Sequence, residues 1–531
     1  AGTPFTVTVN AVDANWNLIN TVTDTVGITS SDGNATLPAN AALVTGTKTF
    51  AVTLNTAGSQ TVTASDVTDG AKTANTSPSI TVGCGPVTAA SYVATNAQSG
   101  QAVVYWSSVN PVLILRQASS AISDAPTDGT IYAVSAAIGA STVVYNGTVP
   151  ETSFTQTGLT DGTTYHYKVF AKTGALCYSA GTAVNAKPVA VGSGVAWSYM
   201  LAGGSLLKPG ITGEGTIYTS GNPSRIVSLN TATGAHSWEP VGTNAAVQGW
   251  LVWHPGGKVL AGDQSGRVYS VNTATGAKSW TEATTGGDAV QAPPASQIRA
   301  WSDAAFQAAV PDDLIFAPTR NSTGAFNTNN KVIAIKASDG TVFWTFNGAG
   351  TSSVDYIVGM PYVDYVRNRL YVASRAGSAG GQRSLWVLDT RDGTPVACNT
   401  AADCQLGHIE SSPTLSYDGT TLYVGNKAGT LHAINAATLA LKWSLELGAS
   451  ATLNGFVWED WTIPGRIYFS TADGNIRSVQ DNGALATPVW TTPVAGPGTP
   501  LLLGKIYVGS SDGTVHQLTL TGTDEKQFTV E

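Results

Sequence analysis

Apolar and polar residues alternate along most of this chain, in short runs separated by turns rich in glycine, asparagine and aspartate. Near the start, Phe5, Val7 and Val9 alternate with threonine and asparagine, and further on Phe50, Val52 and Leu54 repeat the pattern. A period of two residues is typical of strands that bury one face. No apolar run reaches the roughly 18 residues of a membrane-spanning helix. The pattern predicts an all-β protein without a membrane span, with a β-sandwich in residues 1–83.

One phrase occurs twice near the middle of the chain: residues 230–238 read NTATGAHSW and residues 272–280 read NTATGAKSW. The two phrases begin 42 residues apart, a period typical of propeller blades, and looser copies follow. Because one such unit cannot bury both faces of its sheet, the copies must stack around an axis. The first strands of seven copies begin at residues 216, 258, 314, 370, 422, 466 and 505. We therefore predict a seven-bladed β-propeller over residues 191–531.

Most copies end in an outer strand that carries a tryptophan, namely Trp238, Trp280, Trp344, Trp443 and Trp490. The fourth copy keeps the preceding turn but has Ala397 where the tryptophan is expected. Residues 195–199 (VAWSY) have the pattern of an outer strand without a blade of its own. We expect this segment to pair with the last blade and so to close the ring.

These repeats resemble the PQQ-like (quinoprotein-type) propeller repeat, whose signature is a Tyr-Val-Gly strand, an Asp-Gly turn and a Thr-Gly-x-x-x-Trp turn and strand. The resemblance covers about residues 191–531 and implies the fold, but this repeat serves both dehydrogenases and binding proteins. A resemblance to the quinone-dependent dehydrogenases implies an eight-bladed ring, two adjacent cysteines and a Ca²⁺ ion held by Glu, Asn and Asp. This chain has no adjacent cysteines and no recognisable ligand set. We expect no cofactor, no metal and no catalytic residues.

Two further resemblances concern the N-terminal third. The phrases at residues 6–15 and 54–64 resemble bacterial Ig-like repeats of surface proteins. In that family a further strand normally comes before the position of Ala1, so we expect an unpaired edge that another chain can complete. Residues 84–190 resemble a fibronectin type III domain, through Trp106 in its strand and a tyrosine-corner pattern around Tyr165 and Tyr167.

Composition and cysteine content indicate the class of partner and the cellular location. Charged residues make up 11% of the 531 residues, the net charge is −8, and no basic run is present, so nucleic acid is not an expected partner. Cys398 and Cys404 close a short loop, and Cys84 and Cys177 can pair across a long one, worth about 4 kcal/mol in the chain-entropy model. Four free thiols are the alternative. Two disulfides favour an extracellular or cell-surface location. The chain starts without methionine or a signal peptide, which we interpret as a mature or excised piece of a secreted precursor.

Enlarged loops indicate where binding occurs. The segments 281–313, 320–330, 375–384 and 399–410 belong to connections that we expect on one face of the propeller, and long loops on a rigid scaffold commonly bind ligands. Residues 295–309 are expected to form a short amphipathic helix on that face. The candidate binding residues are Trp301, Phe306, Arg320, Phe326, Arg375, Arg383 and His408. Trp250 with Trp253, and Trp458 with Trp461, occupy matching places in their copies, where they either pack between blades or stack on sugars.

The sequence thus favours a non-catalytic extracellular protein that uses a propeller as a binding or assembly platform for a protein or glycan. The first alternative is a structural or decorating subunit of an extracellular filament or surface layer, assembled through the N-terminal edge. The second alternative is a secreted quinoprotein or polysaccharide-active enzyme.

Overall fold

The computed structural model describes residues 2–147, 151–174, 176–191, 196–202, 206–211, 215–221, 224–280, 283–284, 288–320, 330–349, 352–375, 382–453 and 455–529. The chain forms two compact units. One comprises Ala1–Ser205 with Ala232–Ala235, and the other comprises Leu206–Thr231 with His236–Glu531. None of the helices in the described part of the chain has the length and apolarity that crossing a membrane requires.

The first unit begins with a small β-sandwich. Its strands are β1 (Pro4–Asn10), β2 (Thr25–Ser30), β3 (Ala41–Ala42), β4 (Thr47–Thr53), β5 (Gly58–Gln60), β6 (Val62–Asp66), β7 (Asn75–Thr76) and β8 (Ile80–Val82). They form the sheets β1-β4, β3-β2-β6-β7 and β5-β8. The alternating residues pack between these sheets, since Phe50 and Val52 are buried beside Val26 and Ile28.

A second sandwich follows in the same unit. Its strands are β9 (Tyr92–Gln98), β10 (Gln101–Ser107), β11 (Val112–Ala118), β12 (Ala137–Ile138), β13 (Ser141–Asn146), β14 (Ser153–Thr157), β15 (Tyr165–Ala171), β16 (Thr182–Ala186) and β17 (Ser198–Leu201). They form the sheets β14-β10-β9-β17 and β12-β13-β11-β15-β16. Trp106, Tyr167 and Val169 are buried between the two sheets. The Tyr165 hydroxyl accepts a hydrogen bond of 3.0 Å from the backbone N–H of Thr160, which holds the start of β15 against the preceding turn.

Strand β17 corrects one prediction. The segment that was expected to close the ring pairs instead with β9, with Ser198 opposite Ala97 and Leu201 opposite Ala94. The last sheet of the chain already has an outer strand of its own. The edge of β9 was therefore the available partner for this segment.

The second unit contains the remaining strands. They are β18 (Leu206–Ile211), β19 (Thr216–Gly221), β20 (Arg225–Asn230), β21 (Val241–Gly242), β22 (Val252–His254), β23 (Lys258–Gly262), β24 (Arg267–Asn272), β25 (Ala283–Thr284), β26 (Ala295–Gln297), β27 (Leu314–Pro318), β28 (Val332–Lys336), β29 (Val342–Phe346), β30 (Gly348–Ala349), β31 (Ser352–Ser353), β32 (Tyr362–Asp364), β33 (Arg369–Ala373), β34 (Leu385–Asp389), β35 (Thr414–Leu415), β36 (Thr421–Gly425), β37 (Thr430–Asn435), β38 (Leu441–Glu446), β39 (Trp458–Glu459), β40 (Arg466–Thr471), β41 (Asn475–Asp481), β42 (Ala486–Pro493), β43 (Leu501–Leu502), β44 (Ile506–Gly509), β45 (Thr514–Leu518) and β46 (Asp524–Thr529). The helices are α1 (Ala304–Ala309) and two 3-10 turns (Arg299–Trp301 and Ala402–Cys404).

Seven antiparallel sheets of this unit succeed one another as blades one to seven of a β-propeller. They are β18-β19-β20-β21, β22-β23-β24-β25, β26-β27-β28-β29, β32-β33-β34, β35-β36-β37-β38, β39-β40-β41-β42 and β43-β44-β45-β46. Neighbouring blades share apolar cores. Trp250, before blade two, contacts Phe456, before blade six, with ring centroids 5.2 Å apart, so the row of blades curves back on itself. The strands predicted from the repeat are the second strands of these blades.

The outer-strand tryptophans join neighbouring blades. The indole N–H of Trp238 donates to the Thr273 carbonyl, and that of Trp280 to the Ala337 carbonyl, each at 3.0 Å. Trp344 and Trp490 make the same bond to the turns of blades four and seven. In each case a glycine of the accepting turn lies against the indole ring: Gly276, Gly340, Gly393 and Gly522. The repeated Thr-Gly and Trp thus belong to one contact, which is formed between blades.

The junction between blades four and five replaces this contact. Where other turns have glycine, blade five has Leu439, which adopts φ 60° and is 1% exposed. It packs in the apolar core between blades four and five, which includes Cys404 and Leu406. The turn carbonyl of Ala436 accepts from Arg369 instead, at 2.6 Å.

Substitution of Gly340 tests the blade contact. An alanine Cβ there would lie 2.7 Å from Trp280 Cε3, and the residue has φ +77°. Gly483 in the turn of blade six is the matched control, because it also has positive φ (+88°) but no neighbouring atom within 4 Å of the added Cβ. Both variants incur the cost of positive φ, about 1–2 kcal/mol, and Gly340→Ala incurs overpacking as well, about 1–3 kcal/mol. Calorimetry should show the larger decrease in Tm for Gly340→Ala, and equal decreases would contradict the contact.

Candidate functional site

The strand order gives the propeller two distinct faces. In an antiparallel sheet, consecutive connections lie at opposite ends of the strands. We call the face that holds the connections between second and third strands, and those from one blade to the next, the crossover face. The other, which holds the first-to-second and third-to-fourth connections, is the turn face. The tryptophan contacts lie at the turn face, because their acceptors are in third-to-fourth turns.

A repeated hydrogen bond organises the crossover face. A residue just after the second strand donates its backbone N–H, at 2.7–3.0 Å, to a carbonyl of the segment that enters the blade. For blades two to seven the donor and acceptor residues are Gln264 and Ala246, Arg320 and Ala289, Arg375 and Tyr356, Lys427 and His408, Ala472 and Thr452, and Ser511 and Ala495. The donor position is basic in three consecutive blades, three to five. The acceptor position carries a large side chain in blades four and five.

Tyr356 is the centre of this arrangement. The guanidinium carbon of Arg320 lies 5.3 Å from the centroid of the Tyr356 ring, and that of Arg375 lies 5.1 Å from it. Both distances are within the range of cation–π interactions. The Nε atoms of both arginines are buried and have no acceptor among the described residues. The stacking on Tyr356 therefore positions both cations at the same aromatic ring.

Glu410 connects Arg375 with His408 and Lys427. Its Oε1 atom pairs with a guanidinium nitrogen of Arg375, lies 3.2 Å from His408 Nε2 and lies 3.7 Å from Lys427 Nζ. The Glu410 side chain is 19% exposed, whereas that of Lys427 is 52% exposed. We call Arg320, Tyr356, Arg375, His408, Glu410 and Lys427 the Tyr356 cluster. With His408 neutral, its three cations and one carboxylate give a net charge of +2.

Burial and the neighbouring charges both affect the pKa of His408. Burial lowers its pKa, and the charges of Arg375 and Lys427 lower it further, against the opposing influence of Glu410. Burial of Glu410 alone would raise the pKa of its carboxyl group, but the charges of Arg375 and Lys427 outweigh that effect and hold the pKa below its usual value. The cluster therefore contains an ionised carboxylate and an uncharged imidazole at neutral pH.

A disulfide supports the segment that carries His408 and Glu410. Cys398 is bonded to Cys404, and the Cys404 carbonyl accepts from the backbone N–H of Ser384 at 2.9 Å. The Ser384 hydroxyl in turn accepts from the N–H of Leu406 at 3.0 Å. The second predicted disulfide, between Cys84 and Cys177, is also present. The short disulfide loop is thus tied to the crossover connection of blade four.

The predicted binding residues fall into separate groups. Arg320, Arg375 and His408 meet in the Tyr356 cluster. Arg383 is on the same face, but its guanidinium lies 4.9 Å from the Trp386 ring centroid and donates to two backbone carbonyls, so it supports blade four. Phe326 lies outside the described residues.

Trp301 and Phe306 correct the prediction, because they lie on the turn face. The expected helix over residues 295–309 is shorter. Ala295–Gln297 form the inner strand β26, Arg299–Trp301 form a 3-10 turn, and the α-helix is limited to α1, which Asp303 caps. The connection that contains α1 therefore joins the first and second strands of blade three. Phe306 is fully buried in the core between blades three and four, whereas Trp301 is 63% exposed.

Three members of the site were not predicted: Tyr356, Glu410 and Lys427. Lys427 had a signal in the sequence, because it follows its strand at the position that Arg320 and Arg375 occupy in theirs. Tyr356 and Glu410 lie in segments of unequal length, which gave no repeat to align. In the described part of the chain, no group of three or more histidine, cysteine or acidic side chains is arranged to hold a metal ion.

Replacement of Glu410 by glutamine tests the electrostatics of the cluster. The variant removes the one negative charge that raises the pKa of His408, so this pKa should fall further below the ordinary value of about 6.5. NMR titration of the histidine C2 proton measures the shift, with Asp392→Asn on the turn face as the control. An unchanged or higher pKa would show that Glu410 does not act on His408.

Comparison with known proteins finds a family model and many similar solved structures, two of which are given below. The family model described as "Outer membrane protein assembly factor BamB" matches residues 189–321 and 294–525. The crystal structure of BamB from Moraxella catarrhalis is similar, with 16% identity and a TM-score of 0.45, over 62% of this chain and 88% of that one. A computationally designed protein, Ika8, is 13% identical with a TM-score of 0.44, over 67% and 90% of the two chains. No curated protein matches the sequence.

Proposed function

Because this chain belongs to the family described by the outer membrane protein assembly factor BamB, we propose that its propeller is a non-catalytic platform that binds a protein partner on the crossover face. The family description names an assembly role for a member, and this chain has the same kind of repeat over residues 189–525. The observation that carries the proposal is the Tyr356 cluster. Three consecutive blades present a cation at one structural position, and two of these cations stack on a single tyrosine.

The chemistry of the cluster suits a protein surface with carboxylates. Arginine and tyrosine are enriched among the residues that dominate binding energy at protein interfaces. The cluster is partly exposed and has more positive than negative charge, so an acidic segment of a partner complements it. The partner contributes aspartate or glutamate side chains to Lys427 and to the outer edges of the stacked guanidinium groups.

The cysteines and the composition support an extracellular or cell-surface location for the protein. Two disulfides suit an oxidising compartment, and 11% charged residues is a low content. We place the protein outside the cell or at the cell surface, in an adhesive or ligand-binding role. Residues 1–83 and 84–190 serve there as an Ig-like and a fibronectin type III domain.

A matched pair of arginines tests the platform. Arg375 pairs with one carboxylate on the crossover face, and Arg391 pairs with one carboxylate, that of Asp389, on the turn face. Fluorescently labelled protein with Arg375→Ala should bind to the surface of the producing cells about thirtyfold more weakly than the wild type, an effect typical of an interface hot spot. Arg391→Ala should bind normally. Equal binding by both variants would reject the crossover face as the binding site.

One observation supports a second function, as a subunit of an extracellular filament or surface layer. Among the described strands, β1 pairs only with β4, so its other edge offers backbone groups to an additional strand. A second chain that adds a strand there would join molecules end to end.

Light scattering of the native protein on a sizing column tests this assembly. Oligomers that dissociate when Thr6 or Thr8 of β1 is replaced by proline would support it, because proline removes the N–H that strand pairing requires. A strictly monomeric native protein would exclude it.

A further inference from the structure

The junction between blades five and six also departs from the tryptophan contact that is formed at four other junctions. Between blades five and six, the indole N–H of Trp443 donates to the side-chain carboxylate of Asp481, at 2.9 Å, rather than to a turn carbonyl. The turn glycine, Gly483, has no atom within 4 Å of the position of a Cβ, so it does not lie against the ring. A cavity of about 340 Å³ opens at this junction on the turn face. Its volume is in the range of ligand pockets.

Two large aromatic side chains border the cavity. Tyr417 lies in the first connection of blade five and is 82% exposed, and Trp461 lies in the first connection of blade six and is 70% exposed. By comparison, four of the outer-strand tryptophans are only 6–9% exposed, namely Trp238, Trp280, Trp344 and Trp443. Exposed aromatic rings beside a concave site commonly mark a place where a partner binds.

The wall of the cavity is acidic. It contains the carboxylates of Asp418, Glu459, Asp460 and Asp481, with Lys442 as the single basic side chain. The ammonium group of Lys442 donates to the Thr421 hydroxyl at 2.7 Å. Within the described part of the chain, none of the four carboxylates has a basic nitrogen at ion-pair distance. With four carboxylates and one ammonium group, the wall of the cavity has a net charge of −3.

Neutral donors hold these carboxylates in place without using all their acceptor sites. Glu459 accepts two hydrogen bonds, from the backbone N–H groups of Tyr417 and Gly465. Asp481 accepts three, from Trp443, Gly483 and the Tyr423 hydroxyl. A carboxylate has about four acceptor sites, so both can accept a further donor. Burial and the charge of Asp481 raise the pKa of the Tyr423 hydroxyl, and the charges of Glu459 and Asp418 act in the same direction.

We propose that this cavity, which we call the junction pocket, binds an arginine side chain from a basic segment of a protein partner. A guanidinium group is planar, so it can stack on Trp461 or Tyr417 while its N–H groups donate to Glu459 and Asp481. Lysine offers a point charge without a flat face and fits this combination less well. The aromatic faces and the carboxylates without an ion-pair partner together favour an arginine side chain.

The junction pocket is independent of the Tyr356 cluster. The pocket lies on the turn face, between blades five and six, and is acidic. The cluster lies on the crossover face of blades three to five and is basic. A propeller with both sites would engage an acidic segment on one face and a basic segment on the other.

Binding of the fluorescein-labelled peptide Gly-Arg-Gly-Arg-Gly-Arg to the full chain, followed by fluorescence anisotropy, tests the proposal. We expect one peptide per chain, weaker binding of the lysine counterpart, and no binding of the glutamine counterpart. Affinity should fall as NaCl rises from 0.05 to 0.5 M, since screening weakens interactions of partly exposed charges.

Two variants with matched controls locate the site. Trp461→Ala should raise the Kd about fivefold or more, the magnitude of one cation–π contact, whereas Trp301→Ala, which removes a tryptophan of similar exposure from a first connection on the same face, should not. Glu459→Gln should weaken binding, whereas Asp392→Asn, whose carboxylate also accepts two hydrogen bonds, should not.

Three results would overturn the proposal. The first is equal binding of the arginine and glutamine peptides. The second is an effect of Trp301→Ala that equals that of Trp461→Ala. The third is saturable binding of cellohexaose or of Ca²⁺ alone that is lost in Trp461→Ala or Glu459→Gln, with no binding of the arginine peptide. The third result would assign the pocket to a glycan or a cation.

Discussion

The contact between an outer-strand tryptophan and the turn of the next blade determines how this propeller is built. A blade can bury its sheet faces only against neighbours, and each neighbour must be held at a fixed distance. At four junctions the indole ring and its N–H set that distance, the ring against a glycine and the N–H to a backbone carbonyl 3.0 Å away. The sequence must therefore keep a tryptophan in one copy and a glycine in the next, and this requirement produces the repeat.

Two of the six junctions between consecutive blades lack this contact and show what else can take its place. Beside blade five, Leu439 fills the apolar space and Arg369 satisfies the turn carbonyl, so the junction stays closed. Beside blade six, a carboxylate accepts the indole N–H and the ring is not covered by the turn, so the junction pocket opens. Both junctions thus lack the packing of a turn glycine against an indole ring. An apolar side chain keeps the first junction closed, whereas a carboxylate leaves the second open.

How much the sequence predicts depends on how local each signal is. The blade count, the tryptophans and the pairing of Cys398 with Cys404 follow from spacing alone, and the structure has all three. The partner of residues 198–201 does not follow, because two sheets compete for that strand and sequence spacing does not rank them. The face on which Trp301 and Phe306 lie depended on β26, a strand of three residues that the helical spacing of its neighbours concealed. Tyr356 and Glu410 depend on contacts between segments distant in sequence.

The repeated hydrogen bond of the crossover face uses only backbone atoms. It forms equally well whether the donor residue is alanine, serine, glutamine, lysine or arginine, and whether the acceptor residue is alanine, threonine, histidine or tyrosine. The tryptophan contacts lie at the other end of the strands and do not constrain these positions. Two side chains per blade are therefore free to vary by mutation while the scaffold stays intact. Such a surface can acquire new specificities in evolution or by design one blade at a time, with little penalty in folding.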